Sequence, residues 1–320
     1  MVRTIARRDP RESTRVDVSA VIVNWNTRDL LARCVRSLLG TPGEVALEVI
    51  VVDNASPDDS CEMLRREFPE VRLIANARNV GFTRAANQGI AVSRGRYLLV
   101  LNADTEAVGD AVGVMVRFMD AHPEVAALGP RFVNTDGSLQ PSCFSDVGPL
   151  KSFAVASGLH DVLPYAQLAR LNPAGWLRRL VDFPDHDRVQ HPDWFRGACM
   201  CLRADPVRQV DAFDEDFFVY YEEIDLFYRL RAHGWKVVCI PDATFIHDGA
   251  VTLDLAHERM TLTFWRSCLH FHRKHAGPMW RHRAAILLGT LVRLVDTLVR
   301  ASFGDRSARE RFCTSAVVVA

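Results

Sequence analysis

The stretch Tyr97-Leu98-Leu99-Val100-Leu101-Asn102-Ala103-Asp104 decides how the rest of the chain is read. Five consecutive large apolar residues without a polar face suit a strand covered on both sides, as in a parallel sheet between helices. The run stops at Asn102-Ala103-Asp104, and in an open α/β sheet ligands bind beyond the carboxyl ends of the strands. Asp104 is therefore expected at the edge of an active site.

Upstream, Val18 to Trp25 reads as a buried strand capped by Asn26-Thr27, and Leu30, Leu31, Cys34, Val35, Leu38 and Leu39 recur at helical spacing. Leu47 to Val52 is a second buried strand ending in Asp53-Asn54-Ala55-Ser56. A short helix carries Met63, Leu64 and Phe68, and Val71 to Ala75 is a third strand. After the loop Asn79-Val80-Gly81-Phe82, Arg84 to Ser93 forms a helix that leads into the opening strand. This β-α-β-α-β-α-β order implies an α/β fold with a doubly wound, mostly parallel sheet. Its loops bring Asn24, Asn26, Asp53, Asn54, Asn79, Gly81, Asn102 and Asp104 to one edge. Any one of them could be a simple turn former. Four such loops together point to a polar ligand. The first turn holds no GxGxxG and the chain has no GxxxxGK[ST], so a nucleotide would be held without a dinucleotide fingerprint or a P-loop.

Bulk properties agree with an ordinary globular enzyme. Of 320 residues, 48% are hydrophobic and 24% charged. Lys+Arg and Asp+Glu are equal at 39 each, which leaves no global basic field for nucleic acid. Eight cysteines without a CxxC pair suggest a reducing, cytoplasmic compartment, and Cys199 and Cys201 share a strand face as core residues. Residues 1–17 are Arg-rich without an apolar h-region, so a flexible arm is expected rather than a signal peptide. No uninterrupted run of about 18 apolar residues predicts a transmembrane helix.

In the second half, Val108 to His122 reads as a helix and Val125 to Leu128 as a strand, while 141–192 has weak periodicity and is expected to be an insertion near the acceptor side. Trp194 to Arg203 reads as one strand containing Arg196-Gly197-Ala198. Phe217-Phe218-Val219-Tyr220-Tyr221 leads into Glu222-Glu223-Ile224-Asp225 and a helix that stops near Gly234. Acids in a first helical turn suit the helix dipole. Three crowded carboxylates beside aromatics should also raise at least one pKa into the range useful for a base. Lys236 to Ile240 and Phe245-Ile246-His247 read as two further strands. Leu253 to His275 is helical, with His257, His270, His272 and His275 expected on a solvated face or in anionic contacts. Trp280 to Phe303 is an apolar helix flanked by arginines, suited to packing on the domain or to lying in a membrane interface.

The motifs Val21-Ile22-Val23-Asn24-Trp25-Asn26, Val51-Val52-Asp53-Asn54-Ala55-Ser56, Asn79-Val80-Gly81-Phe82 with Asn87-Gln88-Gly89, and Leu101-Asn102-Ala103-Asp104 resemble, in order, those of family 2 glycosyltransferases. The likeness covers roughly 18–250 and is closest to the rhamnosyltransferase-like branch. It implies a GT-A fold and an inverting glycosyltransferase of the hexosyltransferase class. Such an enzyme would use Mg²⁺ or Mn²⁺ and a dTDP- or UDP-sugar, L-rhamnose by resemblance. Its acceptor would be a glycan or lipid-linked acceptor in cell-surface polysaccharide or glycolipid synthesis.

The resemblance assigns the metal to Asp104 and His247, with Asn102 where relatives carry a first Asp. It assigns the nucleotide to Asn24, Asn26, Asp53, Asn54, Asn79, Gly81 and Asn102, and the sugars to Trp194, Arg196, Gly197 and Ala198. Catalysis falls to Glu223 as base with Glu222 and Asp225, where the family motif is Glu-Asp-x-Asp-Leu. The expected organisation is a catalytic domain over 18–250, split into a nucleotide-sugar half (18–128) and an acceptor half (129–250), then a helical region over 251–320. That region could bring the protein to the cytoplasmic membrane face. Two other classes remain open. A sugar-phosphate nucleotidyltransferase needs a Gly/Arg-rich phosphate loop after the first strand, which is absent. A non-catalytic binding protein would be expected to lack the acids at 104 and 222–225.

Overall fold

The protein is represented by a computed structural model that describes residues 16–42, 45–145, 148–159, 186–249, 257–275 and 280–302, with side chains described except at 257–260 and 299–302. The expected N-terminal arm lies outside the described residues but for 16 and 17, as do 146–147 and 160–185 of the expected insertion.

The first strand β1 (Val18–Asn24) sits between β2 (Leu47–Asp53) and β4 (Tyr97–Asn102) and is parallel to both, and β3 (Arg72–Ala75) adds to β2 in parallel. With β5 (Thr105–Ala107), β6 (Val125–Val133), β10 (Cys199–Arg203) and β11 (Lys236–His247), the sheet runs in the order β3-β2-β1-β4-β10-β6-β11-β5. A short β7 (Leu139–Gln140) pairs with β6. The sheet is mostly parallel but not purely so, because β10 runs antiparallel to both β4 and β6, and β5 antiparallel to β11.

Side chains of β4 alternate between two cores. Tyr97, Leu99 and Leu101 face a layer built with α1 (Arg28–Leu39), α2 (Ser60–Glu67) and α4 (Ala111–Ala121). Leu98 and Val100 face α3 (Phe82–Val92), α6 (Ala204–Gln209) and α7 (Glu222–Ala232). Burial of each such side chain contributes roughly 1.5–3 kcal/mol, which is why the apolar run admits no solvated face. Cys199 and Cys201 lie in the first core. A third cluster joins the start of α7 to α5 (Pro149–Ser157), α8 (His257–His275) and α9 (Trp280–Ser302) through Tyr221, Phe271 and Ile286.

Three readings of the sequence change. The segment 194–203 is two strands. Trp194–Phe195 is β9, in a separate ribbon with β8 (Cys143–Phe144), and Arg196-Gly197-Ala198 is a connecting loop. The stretch 236–247 is one strand, irregular between Cys239 and Thr244 where Pro241 interrupts the ladder. The helix expected from Val108 starts at Ala111, because Thr105–Ala107 is spent on β5.

Candidate active site

The three-residue β5 sets the geometry of one corner. Its pairing places Thr105 opposite His247, and the backbone N–H of Asp248 donates to the carbonyl of Asp104 at 3.0 Å. Asp104 and His247, both buried, then meet with Nε2 of the ring 3.5 Å from Oδ1 of the carboxylate. The other ring nitrogen, Nδ1, lies 2.7 Å from Oε1 of Gln140. The Gln140 amide donates to Asn134 Oδ1 at 2.8 Å and to the His247 carbonyl at 3.3 Å, so its oxygen is left to accept. Nδ1 therefore carries the ring proton, and Nε2 turns a lone pair toward Oδ1 of Asp104, an oxygen with no hydrogen-bond partner. Burial lowers the His247 pKa and favours the neutral ring. A neutral imidazole and a carboxylate oxygen aimed at one point, with the histidine oriented by a further residue, form a donor pair that fits a divalent cation. Asn102 lines the adjoining cavity, its N–H tied to the Ala198 carbonyl at 2.9 Å.

That cavity, of about 690 Å³, continues from His247 past Arg196 and Gly197 to Glu222 and Glu223, and on to Val155, Phe264 and Trp265. The two glutamates open α7 directly after Tyr220 and Tyr221, which hold φ at 69° and 67°. Left-handed backbone costs a non-glycine residue of order 1–2 kcal/mol. The Tyr221 ring is clamped against Phe264 and Phe271 of α8, which keeps the turn in place. Burial is the main force pushing the Glu223 carboxyl up to about 7, with Arg196 and the Gly197 and Ile224 N–H groups opposing it. Burial and the neighbouring Glu223 push Glu222 further above the usual range. Each glutamate has an Oε2 without a partner, as does the Nε of Arg196. Buried polar atoms are normally satisfied, so three orphans around one cavity mark where a polar ligand belongs. A Cβ on Gly197 would stand 3.3 Å from the Glu223 carboxyl carbon and would press on that side chain by a few tenths of an ångström.

Asp225, expected with the catalytic acids, does not line the cavity. It is fully buried in ion pairs with Arg229 at 2.7 Å, His275 at 2.7 Å and Lys274 at 2.8 Å, and so ties α7 to α8. The expectation of a solvated histidine face fails for His272, which is buried and stacked on His282 with ring centroids 3.5 Å apart. His275 and His270 do meet anions, Asp225 and Asp214. The side chain of His257 lies outside the described residues. Asp214, Asp216 and His270 cluster closely enough to hold a metal, but Lys274 already pairs with Asp214 at 2.5 Å and none of the three lines the cavity.

The expected nucleotide residues are joined into one network. Asn24 donates to Asp53 Oδ1 at 2.8 Å, Ser56 engages both oxygens of Asp53, and Ser56 Oγ accepts from the Asn26 N–H. Asn54 donates to the Gly81 carbonyl at 3.0 Å, and Asn79 Oδ1 accepts from the Gly81 N–H. Asn24, Asp53 and Asn54 are buried, so they shape these turns from beneath. Gly81 has φ 88°, and an added Cβ would sit 2.7 Å from the Phe218 carbonyl, which also accepts from the Phe82 N–H at 2.8 Å. This contact joins the first-half loop to the turn before the acids.

Sequence reading missed Gln140, the contact made by Phe218, and Phe144, which stacks on the expected Trp194 at 4.2 Å. No local pattern marks them, because their partners come from distant segments.

This sheet, with a short edge strand delivering a carboxylate to the end of β11, is the GT-A fold, and the chain is a glycosyltransferase. Its residues 19–143 match the family model described as glycosyl transferase family 2. Over 91% of its length it is 28% identical to N-acetylglucosaminyl-diphospho-decaprenol L-rhamnosyltransferase of Mycobacterium tuberculosis, covering 95% of that relative. Among solved structures it resembles the mannosyltransferase PcManGT of Pyrobaculum calidifontis in complex with GDP-Man and Mn²⁺ (TM-score 0.57, 15% identity, 95% of this chain and 80% of that one). It also resembles GalNAc-T7 with UDP, GalNAc and Mn²⁺ (TM-score 0.57, 15% identity, 82% and 52%).

Proposed function

We propose that the chain transfers a sugar, with inversion, from a nucleoside-diphosphate sugar to a hydroxyl of a lipid-linked glycan, with Glu223 as general base. The observation that carries this reading is Glu223 itself: a carboxyl pushed up to about 7, with an unpartnered oxygen, in the same cavity as His247 and Arg196. A base poised near the working pH is what proton abstraction from an acceptor hydroxyl needs. As the acceptor oxygen bonds to the anomeric carbon, its proton passes to Glu223 and the bond from that carbon to the diphosphate oxygen breaks. Glu222, whose carboxyl burial and the neighbouring Glu223 push up, lies beside that base in the cavity. Arg196 supplies a half-buried positive charge for the departing diphosphate. Asp104 and His247 would hold a divalent cation, Mg²⁺ or Mn²⁺, whose contribution is neutralisation of the leaving diphosphate. The network of Asn24, Asn26, Asp53, Asn54, Asn79 and Gly81 would form the nucleotide floor, with Asp53 holding it from beneath.

The donor sugar is read as L-rhamnose on a thymidine or uridine diphosphate, and the acceptor as a polyprenyl-diphosphate glycan, by likeness to the mycobacterial relative. The apolar end of the cavity, at Val155, Phe264 and Trp265, supports such an acceptor. Residues 18–250 would be the catalytic unit and 251–320 its helical support, bringing the enzyme to the membrane where the acceptor resides. The test is to supply dTDP-rhamnose and UDP-sugars in turn with Mn²⁺ and an N-acetylglucosaminyl-diphospho-lipid. Release of nucleoside diphosphate only when the acceptor is present supports the reading. Release of pyrophosphate from a nucleoside triphosphate instead would sink it.

A further inference from the structure

Helix α9 has its amphipathicity reversed. Its buried face is made of small and polar residues, with Gly289 against α5 and His282 against His272 of α8, together with Thr290, Thr297 and Ile286. Gly289 lies so close to α5 that an added Cβ would meet the Phe153 carbonyl at 2.7 Å. The hydroxyls of Thr290 and Thr297 are satisfied within their own helix. The opposite face carries Trp280, Leu287, Leu288, Leu291, Val295 and Leu298, each more than half exposed. A helix resting on a protein core in water shows the opposite arrangement. Small residues inward and large apolar residues outward is the pattern of helices whose outer surroundings are lipid.

Charge selects the occupant. The exposed Arg281 and Arg283 flank the start of the stripe, with Arg281 stacked on Trp280, and the exposed Arg273 closes α8 nearby in sequence. Asp296 is the single acid on α9. No helix among the described residues is long and apolar enough to cross a membrane. With one face held by α5, α9 meets a bilayer side-on, as interfacial helices with aromatic, leucine and arginine composition do. Ser152 and Val155 of α5 line the substrate cavity, so α5 connects the apolar stripe of α9 to the acceptor end.

We propose that the outward face of α9 is a membrane-docking surface that seats the enzyme on anionic lipid. A lipid-linked acceptor is the reason such a surface is needed, and to that extent the docking face rests on the functional reading above. The experiment mixes the full chain, without acceptor or donor, with sedimentable vesicles of phosphatidylcholine alone or of equal parts phosphatidylcholine and phosphatidylglycerol. The expected result is co-sedimentation with the anionic vesicles that weakens in high salt. In the triple variant Leu288→Ser, Leu291→Ser, Val295→Ser, bound protein should fall about tenfold or more, with unfolding temperature and nucleoside-diphosphate binding unchanged. Wild-type protein that stays in the supernatant with both vesicles would overturn the proposal. So would a dimer that the variant splits, which assigns the stripe to a second copy. A variant that is thermally weaker yet sediments like wild type assigns it to another part of this chain and also overturns the proposal. Vesicle binding here, together with no nucleoside diphosphate release in the donor and acceptor assay above, would refute the glycan-transfer reading while leaving the docking surface standing.

Discussion

Nε2 of His247 and Oδ1 of Asp104 face each other at 3.5 Å as two lone pairs, and the hydrogen bond from Nδ1 to Gln140 keeps them so. A cation between them should be sensitive to the orienting residue as well as to the ligands. Asp104→Asn and His247→Ala are expected to abolish the Mn²⁺-dependent part of nucleoside-diphosphate binding. Gln140→Leu, which removes only the acceptor for Nδ1–H, should weaken Mn²⁺ affinity by roughly 10–100-fold. Calorimetry that finds Gln140→Leu equal to wild type would refute the assigned tautomer.

Glu223→Gln keeps the volume and loses the base. Turnover should drop by about 10²–10⁴-fold with donor affinity retained. Because Glu223 must be ionised to act and its carboxyl is pushed up to about 7, activity should fall as pH drops through about 7. An acid limb near the ordinary glutamate value would remove Glu223 from this role.

The same burial has a stability consequence. Glu222 and Glu223 hold their protons in the folded state to higher pH than the usual value of 4.5. Between those limits the folded chain binds more protons than the unfolded chain, so stability declines as pH rises from about 4.5 through 7. Glu222→Gln removes its share of this decline, and its advantage in unfolding temperature should be larger at pH 8 than at pH 5. Parallel wild-type and variant curves across that range would contradict the raised carboxyl.

Gly81 adopts φ 88° and ψ 167°, a region open essentially to glycine, with the Phe218 carbonyl and ring against it. Gly81→Ala should cost about 1–3 kcal/mol and separate the nucleotide loop from the acid turn. Thermal unfolding together with a rise in donor KM checks this. An unchanged KM at lowered stability would confine the effect to folding.

Asp225 and Glu223 belong to one acidic run but do different work. Asp225→Asn removes the buried charge that pairs with Arg229, Lys274 and His275 and should destabilise by about 3–5 kcal/mol. Below its lowered unfolding temperature the variant should keep the acid limb of the pH profile. If it stays fully stable and loses turnover as Glu223→Gln does, Asp225 acts on the substrate.

Local sequence determined the parallel β-α core, since apolar runs such as Tyr97 to Leu101 can be satisfied only between two helix layers, and the polar loop ends follow from strand direction. The ordered motifs also resembled those of a known glycosyltransferase family. Proximity across the fold decided the rest. Asp104 reaches His247 only through β5, a strand of three residues too short to leave a periodic signal. Gln140 acquires its role from the pairing of β7 with β6 and from a ring far along the chain. Glu223 and Asp225 carry near-identical chemistry two positions apart, but a helical turn of 100° per residue sends one into the cavity and the other into a cluster with Arg229 and His275. The sequence therefore supplied Asp104 as a carboxylate at a sheet edge, and the tertiary structure set it 3.5 Å from His247, the pair proposed to hold a cation, because ligand geometry depends on distances that no one-dimensional spacing encodes.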